Sequence, residues 1–249
     1  MNILAFDSSL NALSVAVARR RQDAWQVFHA WEARSGHAER LLPMIGEVMA
    51  EAGMAFSAID RIAVTVGPGS FTGVRVGVAA ARGLALALKR PAIGFTNLAV
   101  MAHDAVRLLR GAHAGRLLAV VIDARDGMHY VQLFEGQKEA SPPLLLAADA
   151  AAAVIGRRRV MLVGSGADAV ATAVAAAGGE AETALIDLLP RAPALALLAE
   201  AAAARGPVRP LYLRPHGAKP PMRPEPASQA PSETSETAEA AFKGASAAS

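Results

Sequence analysis

A short apolar strand ending in aspartate, a tight turn and a second strand occur twice in this chain. That repeat constrains its fold more than any other feature. The first copy is Asn2 to Asp7, the turn Ser8-Ser9-Leu10-Asn11 and the alternating run Leu13 to Arg19. The second is Leu117 to Asp123, the turn Ala124-Arg125-Asp126-Gly127 and the run Met128 to Glu135. Internal duplication is the economical explanation, and it predicts an α/β protein of two related lobes, the second smaller.

Apolar periodicity fills in the rest. In the first half it predicts a third strand over Ala24 to Ala33, a helix over His37 to Ala52, and a strand over Arg61 to Val66. A glycine-rich loop then leads to a helix over Val74 to Lys89, a strand over Ala92 to Phe95 and a helix over Asn97 to Leu109. Pro43 is tolerable only near the first turn of its helix. The second half predicts helices over Ala147 to Ile155, Ala167 to Ala177 and Pro193 to Ala204, a strand over Val160 to Val163, and an extended Val208 to Arg214. The expected domains are residues 1–110 and 111–218. Residues 219–249, rich in proline, serine, glutamate and alanine, are expected to be a disordered tail because they offer little apolar surface to bury.

Composition matters mainly by exclusion. The 249 residues include no cysteine, which removes disulfides, thiol nucleophiles and cysteine-ligated metals. Alanine accounts for 59 residues, so the strongly apolar share is only roughly three in ten, an ordinary fraction. Arginine outnumbers lysine 21 to 4, which with the alanine excess reads as compositional bias. The net charge of +3 is too small to build a nucleic-acid stripe, and Arg19-Arg20-Arg21 and Arg157-Arg158-Arg159 read as solvated turns. The start lacks the basic region of a signal peptide and no apolar run is of transmembrane length, so a cytoplasmic protein is expected.

The segment Gly67-Pro68-Gly69-Ser70-Phe71-Thr72-Gly73-Val74-Arg75-Val76-Gly77 joins a strand to a helix. Such a loop can present backbone N–H groups to an anion at the helix N-terminus. It is not a Walker A loop, since no Lys-Ser/Thr follows Gly73, and its third glycine is misplaced for a dinucleotide fingerprint. Phosphate cradle and structural tight turn both remain open on these residues. On the following helix, Gly73, Gly77, Ala80, Ala81, Leu84 and Leu88 share a face that lets another helix approach closely. So apolar a girth needs cover on two sides: one is its own sheet, and the other is either the His37 to Ala52 helix, as an intramolecular core, or the same surface on another chain, with the partner interface the favoured reading. Asp7 and Asp123 could hold a magnesium-bound phosphate or could cap their turns. His37 has Leu41 at i+4, so it belongs to no two-histidine metal face.

Five blocks together resemble the TsaB (YeaZ) family: Ile3 to Ser9, His37 to Pro43, Gly67 to Gly77, Ile122 to Arg125 and Pro210 to Arg214. The resemblance covers residues 1 to about 215. It implies an actin-like (ASKHA) duplicated fold and a non-catalytic scaffold role in making N6-threonylcarbamoyladenosine at position 37 of tRNA. It also implies pairing with a TsaD-type catalytic subunit, which is joined by a TsaE-type ATPase. The partner face would comprise His37, Leu41, Leu42, Ile45, Val76, Gly77, Ala80 and Ala81, and alone it would form a homodimer. Asp7, Gly67, Gly69 and Ser70 would be remnants of a nucleotide site. The chain would hold no metal or cofactor of its own, with ATP or ADP and magnesium only at the partner interface. It would reach tRNA through the complex and would not touch a membrane. The competing readings are an independent ASKHA-type ATPase or small-molecule kinase using Asp7 and Asp123, and a metalloprotease, which the missing histidine pair opposes.

Overall fold

A computed structural model describes residues 1–22, 24–32, 36–204 and 206–214, so the expected tail at 219–249 lies outside the described residues. Met1–Arg214 packs as one compact unit. The first sheet contains β1 (Asn2–Asp7), β2 (Leu13–Arg21), β3 (Ala24–Glu32), β4 (Arg61–Thr65) and β5 (Ala92–Phe95) in the order β3-β2-β1-β4-β5. The second contains β6 (Leu117–Asp123), β7 (Met128–Glu135), β8 (Lys138–Glu139), β9 (Leu144–Ala147), β10 (Val160–Val163) and β11 (Ala181–Ala184). Its order is β11-β10-β6-β7-β8, with β9 also on β7.

The duplication is evident in the pairing. β1 runs antiparallel to β2 and parallel to β4, which is parallel to β5. Likewise β6 runs antiparallel to β7 and parallel to β10, which is parallel to β11. The four-residue strands β9 and β11, which complete the repeat, are too short to show a period in sequence.

Among the described residues, six α-helices cover the sheets: α1 (His37–Glu51), α2 (Phe71–Leu88), α3 (Asn97–Leu108), α4 (Ala148–Ile155), α5 (Ala167–Ala176) and α6 (Ala192–Leu198). α1 runs through Pro43, on its exposed side in the second turn, rather than confining the proline to the start. α2 begins three residues earlier than expected because Ser70, at its N-cap, accepts a hydrogen bond from Gly73 N at 3.3 Å. It spans 18 residues at mean hydropathy 1.4, a membrane-span length and composition that the sequence reading did not expect. Gly73, Val74, Gly77, Val78 and Ala81 are nevertheless packed inside the fold.

Alternation along the strands gives the first sheet two faces. Leu4, Phe6, Val15 and Val17 meet Leu41, Met44, Ile45, Met49, Val74 and Val78 of α1 and α2. On the reverse, Ile3, Ala5, Ala16, Ala18 and Ala63 meet Ala192, Leu195, Ala196 and Ala199 of α6 and its end. These alanines are structural, since their small side chains let a helix lie close on the sheet. α6 stops at Leu198, short of the expected Ala204, where Arg61 donates to the carbonyls of Ala199, Glu200 and Ala202 at 3.0, 3.1 and 2.7 Å. A cation on the terminal carbonyls is a favourable helix stop. Arg19, Arg20 and Arg21 lie in β2 rather than in a turn; Arg20 forms an ion pair with Glu200, and Arg19 donates to Ala52 O at 2.9 Å.

The second sheet has α4 and α5 on one face. Its other face carries Leu118, Val120, Ile122 and Phe134 against Leu98, Met101, Ala102 and Ala105 of α3. Each half therefore lends a helix to the other's sheet. A fragment of residues 1–110 should expose the apolar side of α3 and lose α6, so it is expected to bind a hydrophobic dye and unfold without a cooperative transition. Adding residues 111–214 should restore cooperativity, whereas a two-state thermal unfolding of 1–110 alone would refute the exchange.

Candidate functional site

The β1–β2 turn, the loop between β4 and α2 and the start of α3 converge on Asp7. Asp7 is buried, and its Oδ1 accepts hydrogen bonds from Ser9 N at 3.2 Å, from Ser9 Oγ and from Thr65 Oγ1. Asn97 extends the network, its Nδ2 donating to Ser9 Oγ and Pro68 O, each at 2.7 Å. Its Oδ1 is buried with no hydrogen-bond partner among the described residues. Burial pushes the Asp7 carboxyl up to about 6 from an ordinary 3.8, against the opposing pull of the Ser9 and Thr65 hydrogen bonds and nearby His37. Ser9, Thr65 and Asn97 escaped the sequence reading because a Ser in a turn, a Thr in a strand and an Asn at a helix start are each individually common.

The glycines make this junction possible. A Cβ on Gly69 or Gly73 would collide with the carbonyl oxygen of Ser9 or Ser8, and one on Gly77 would lie 2.8 Å from Ser8 Oγ. Gly67, at φ +102°, would place a Cβ 2.8 Å from Leu211 O. Ser70 N donates to Ser9 O at 2.7 Å, and Ser8 Oγ donates to Gly73 O at 2.9 Å. Thus Asp7, Gly67, Gly69 and Ser70 do come together, but the chain's own backbone fills the cradle. They do not fit a phosphate group between them. Asp123 is exposed, and its Oδ1 accepts from Arg125 N at 2.8 Å, which caps its turn. The second half echoes the junction: a Cβ on Gly166 would meet His129 Cδ2 at 2.6 Å, and Ser165 Oγ accepts from Asp123 N at 3.0 Å.

His37 opens α1, and its Nδ1 donates to Ser8 O at 3.0 Å, tying the helix to the same turn. A cleft of about 700 Å³ lies beside it, lined by His37, Glu39, Ser70, Thr72, Val76 and, from the second half, Arg125.

The expected partner face divides. Leu41, Ile45, Gly77 and Ala81 lie inside the chain's own core, so they are not available on the surface. Val76 and Ala80 are half-buried and pack on that core. Leu42 is 58% exposed, and Leu86, four turns into α2, is 82% exposed. The outward small residues are Ala79, Gly83 and Ala87, and a Cβ on Gly83 would meet nothing within 4 Å. The stripe facing the sheet is set by Val74, Val78 and Ala81. Because that row is as rich in small residues as the outer one, sequence spacing alone assigns the two faces the wrong way round.

A family model described as TsaD, tRNA N6-adenosine threonylcarbamoyltransferase, matches residues 31–205. The tRNA threonylcarbamoyladenosine biosynthesis protein TsaB of Haemophilus influenzae is 40% identical over 126 residues, 50% of this chain and 50% of its own length. A tRNA N6-adenosine threonylcarbamoyltransferase of a Jannaschia species is 54% identical over 67 residues, 27% of this chain and 19% of that protein. The chain spans about half the length of the first TsaB relatives it matches. A crystal structure from Pseudomonas aeruginosa, titled as an uncharacterized protein with similarity to peptidase YEAZ, superposes at a TM-score of 0.69 and 30% identity. It covers 86% of this chain and 99% of its own.

The raised Asp7 value has a thermodynamic sign. The folded state holds the proton more tightly, so the stabilising contribution is full below about pH 4 and lost as pH rises through about 6. The loss is about 3 kcal/mol. The urea-unfolding free energy of wild type, measured relative to Asp7→Asn, should therefore fall across that window, and a difference independent of pH would reject the assignment.

Proposed function

Since the chain belongs to the TsaD family, in its TsaB/YeaZ branch, we propose that it acts as a non-catalytic scaffold subunit in threonylcarbamoyladenosine synthesis on tRNA. Its partner is a TsaD-type catalytic subunit, a TsaE-type ATPase joins the pair, and tRNA adenosine 37 is reached through the complex in the cytoplasm. One observation carries the reading: α2 is apolar over 18 residues, yet only 28% of it is buried. The interior of the chain covers one side of this helix and leaves Leu86, Ala79, Gly83 and, on the neighbouring α1, Leu42 uncovered.

The partner helix lies on the groove between α1 and α2, where Gly83 and Ala79 allow close backbone approach. A subunit of related fold can offer equivalent helices, and without it the same face pairs with itself. ATP or ADP with magnesium binds at the interface rather than at Asp7. The cleft beside His37, Ser70 and Arg125 opens next to this face, while Asp7 Oδ1 is already committed to Ser9 and Thr65. The same commitment, with Asp123 capping its turn, argues against an independent ATPase or kinase.

Leu86→Arg and Gly83→Trp should each remove co-purification with a TsaD-type protein and abolish threonylcarbamoylation of unmodified tRNA in the reconstituted system. Their circular dichroism and melting temperature should stay close to wild type. Ala81→Trp, in contrast, should unfold the chain. Normal complex stoichiometry with both surface variants would sink the interface.

A further inference from the structure

The segment from Val208 to Arg214 forms neither helix nor strand, yet the first half of the chain holds it closely. Val208 is buried against the core under α1 and α2, and Leu211 N donates to Val66 O at 2.7 Å. Tyr212 accepts from Arg75 Nε at 2.9 Å, with its ring 5.6 Å from that of Phe71. So anchored, the segment delivers Arg214 to the second half. Its Nη1 donates to Asp126 Oδ2 at 3.1 Å, and its Nη2 to the carbonyl oxygens of Ala124 and Arg125 at 3.0 and 3.3 Å. One guanidinium thus grips three successive residues of the β6–β7 turn.

That turn holds a backbone that needs support. Arg125, Asp126 and Gly127 lie in succession at φ +64°, +54° and +71°. Glycine tolerates the left-handed region, whereas a Cβ disfavours it, so Arg125 and Asp126 keep this form only because their surroundings impose it. Inside the turn, Asp123 Oδ1 accepts from Arg125 N at 2.8 Å, and Arg125 O accepts from Met128 N at 3.0 Å. Arg214 is the brace from outside. Its ion pair with Asp126 is exposed and adds little to global stability, so its effect is on where the turn points.

The residue so directed is Arg125, which lines the cleft beside His37 and is the lining residue that the second half supplies. The other polar lining residues, among them Glu39, Ser70 and Thr72, belong to the first half. Among the described residues the Arg125 side chain has no carboxylate partner. A guanidinium in that state, at the wall of a cleft, is a fork for phosphate oxygens. Glu39 as a carboxylate only accepts hydrogen bonds, which suits sugar hydroxyls and repels phosphate. We propose that Arg125 binds a phosphate of the nucleotide in this cleft and that Arg214 is the positioning residue that holds it there. Given that ATP or ADP binds in the cleft, the reading on which this assignment rests, the phosphates lie toward the second half and the sugar toward α1. The site is complete only with the segment 208–214 seated.

The probe is ADP with magnesium, titrated calorimetrically into this chain co-purified with a TsaD-type protein, with the partner alone as the blank. Arg125→Ala should weaken ADP binding about tenfold or more, and Arg214→Ala about fivefold. The two substitutions together should be no worse than Arg125→Ala alone, because Arg214 acts only through Arg125. In the unliganded chain, Arg214→Ala should speed hydrogen exchange at the amides of Arg125 and Met128 while the melting temperature stays close to wild type. Every variant should keep wild-type stoichiometry with the partner. Wild-type affinity in Arg125→Ala or in Arg214→Ala, additive losses in the double variant, or loss of the complex would overturn the proposal and leave the nucleotide reading standing. A wild-type complex that binds no more ADP than the partner alone would instead remove the nucleotide reading itself, and this assignment with it.

Discussion

The close seating of α2 on the β1–β2 turn is the constraint that the rest of the structure depends on. Ser8 and Ser9 present carbonyl oxygens where Gly69 and Gly73 have no side chain, and Ser8 Oγ occupies the space a Cβ on Gly77 would need. Asp7 holds the turn through Ser9 and reaches across to Thr65 of the neighbouring strand, and Asn97 carries the network to α3. His37 adds α1 by bonding Ser8 O. One buried carboxylate thus aligns two strands and orients the starts of three helices. A carboxylate used as an organising hub is costly to bury and is offset by its donors. Such a role commits Asp7 Oδ1 to donors of the chain itself.

The two halves are coupled by exchange rather than by contact alone. α3 follows the first sheet in sequence but seals the second, and α6 follows the second but seals the first. The closing segment adds a tie across the surface: Val208 enters the core beneath α1 and α2, Leu211 N donates to Val66 O at 2.7 Å, and Arg214 reaches Asp126 and Ala124 of the second turn. Tyr212 accepts from Arg75 Nε at 2.9 Å, while the Arg75 guanidinium lies 3.6 Å above Phe71. This lacing holds the first turn of α2 at a fixed angle to both lobes and gives the outward face of that helix a rigid platform.

The duplication was legible in the sequence because strand-Asp-turn-strand is a local pattern, repeated with its aspartates at the same place. Most elements of the first half were legible for the same reason, since their apolar residues are large and periodic. What could not be read was partnership at a distance. Nothing local to Arg61 indicates that it will stop α6, and nothing local to Ala5, Ala16 and Ala63 distinguishes them from alanines that merely fill helices. The orientation of α2 failed similarly. Gly77 and Ala81 look like a docking stripe, but which small residues face outward depends on where Ser8, far from α2 in sequence, comes to rest.

In the proposed complex, the outward stripe would let a modest set of anchors hold a partner. Burying Leu86 and Leu42 fully would contribute about 1.5–3 kcal/mol each. Association costs roughly 4–15 kcal/mol in lost freedom before any loop is ordered. Two leucines alone therefore leave little or nothing over. Ala79, Gly83 and Ala87 change the balance not by their own area but by bringing the partner backbone close. Contact would then spread over the whole helix pair, including the stem of Arg82. Because both helices are already fixed by the glycine junction beneath them, little ordering remains to be done on docking. In the proposed complex the tight inner stripe and the open outer stripe of α2 would be two halves of one device: the first immobilises the helix, and the second would use that immobility to bind.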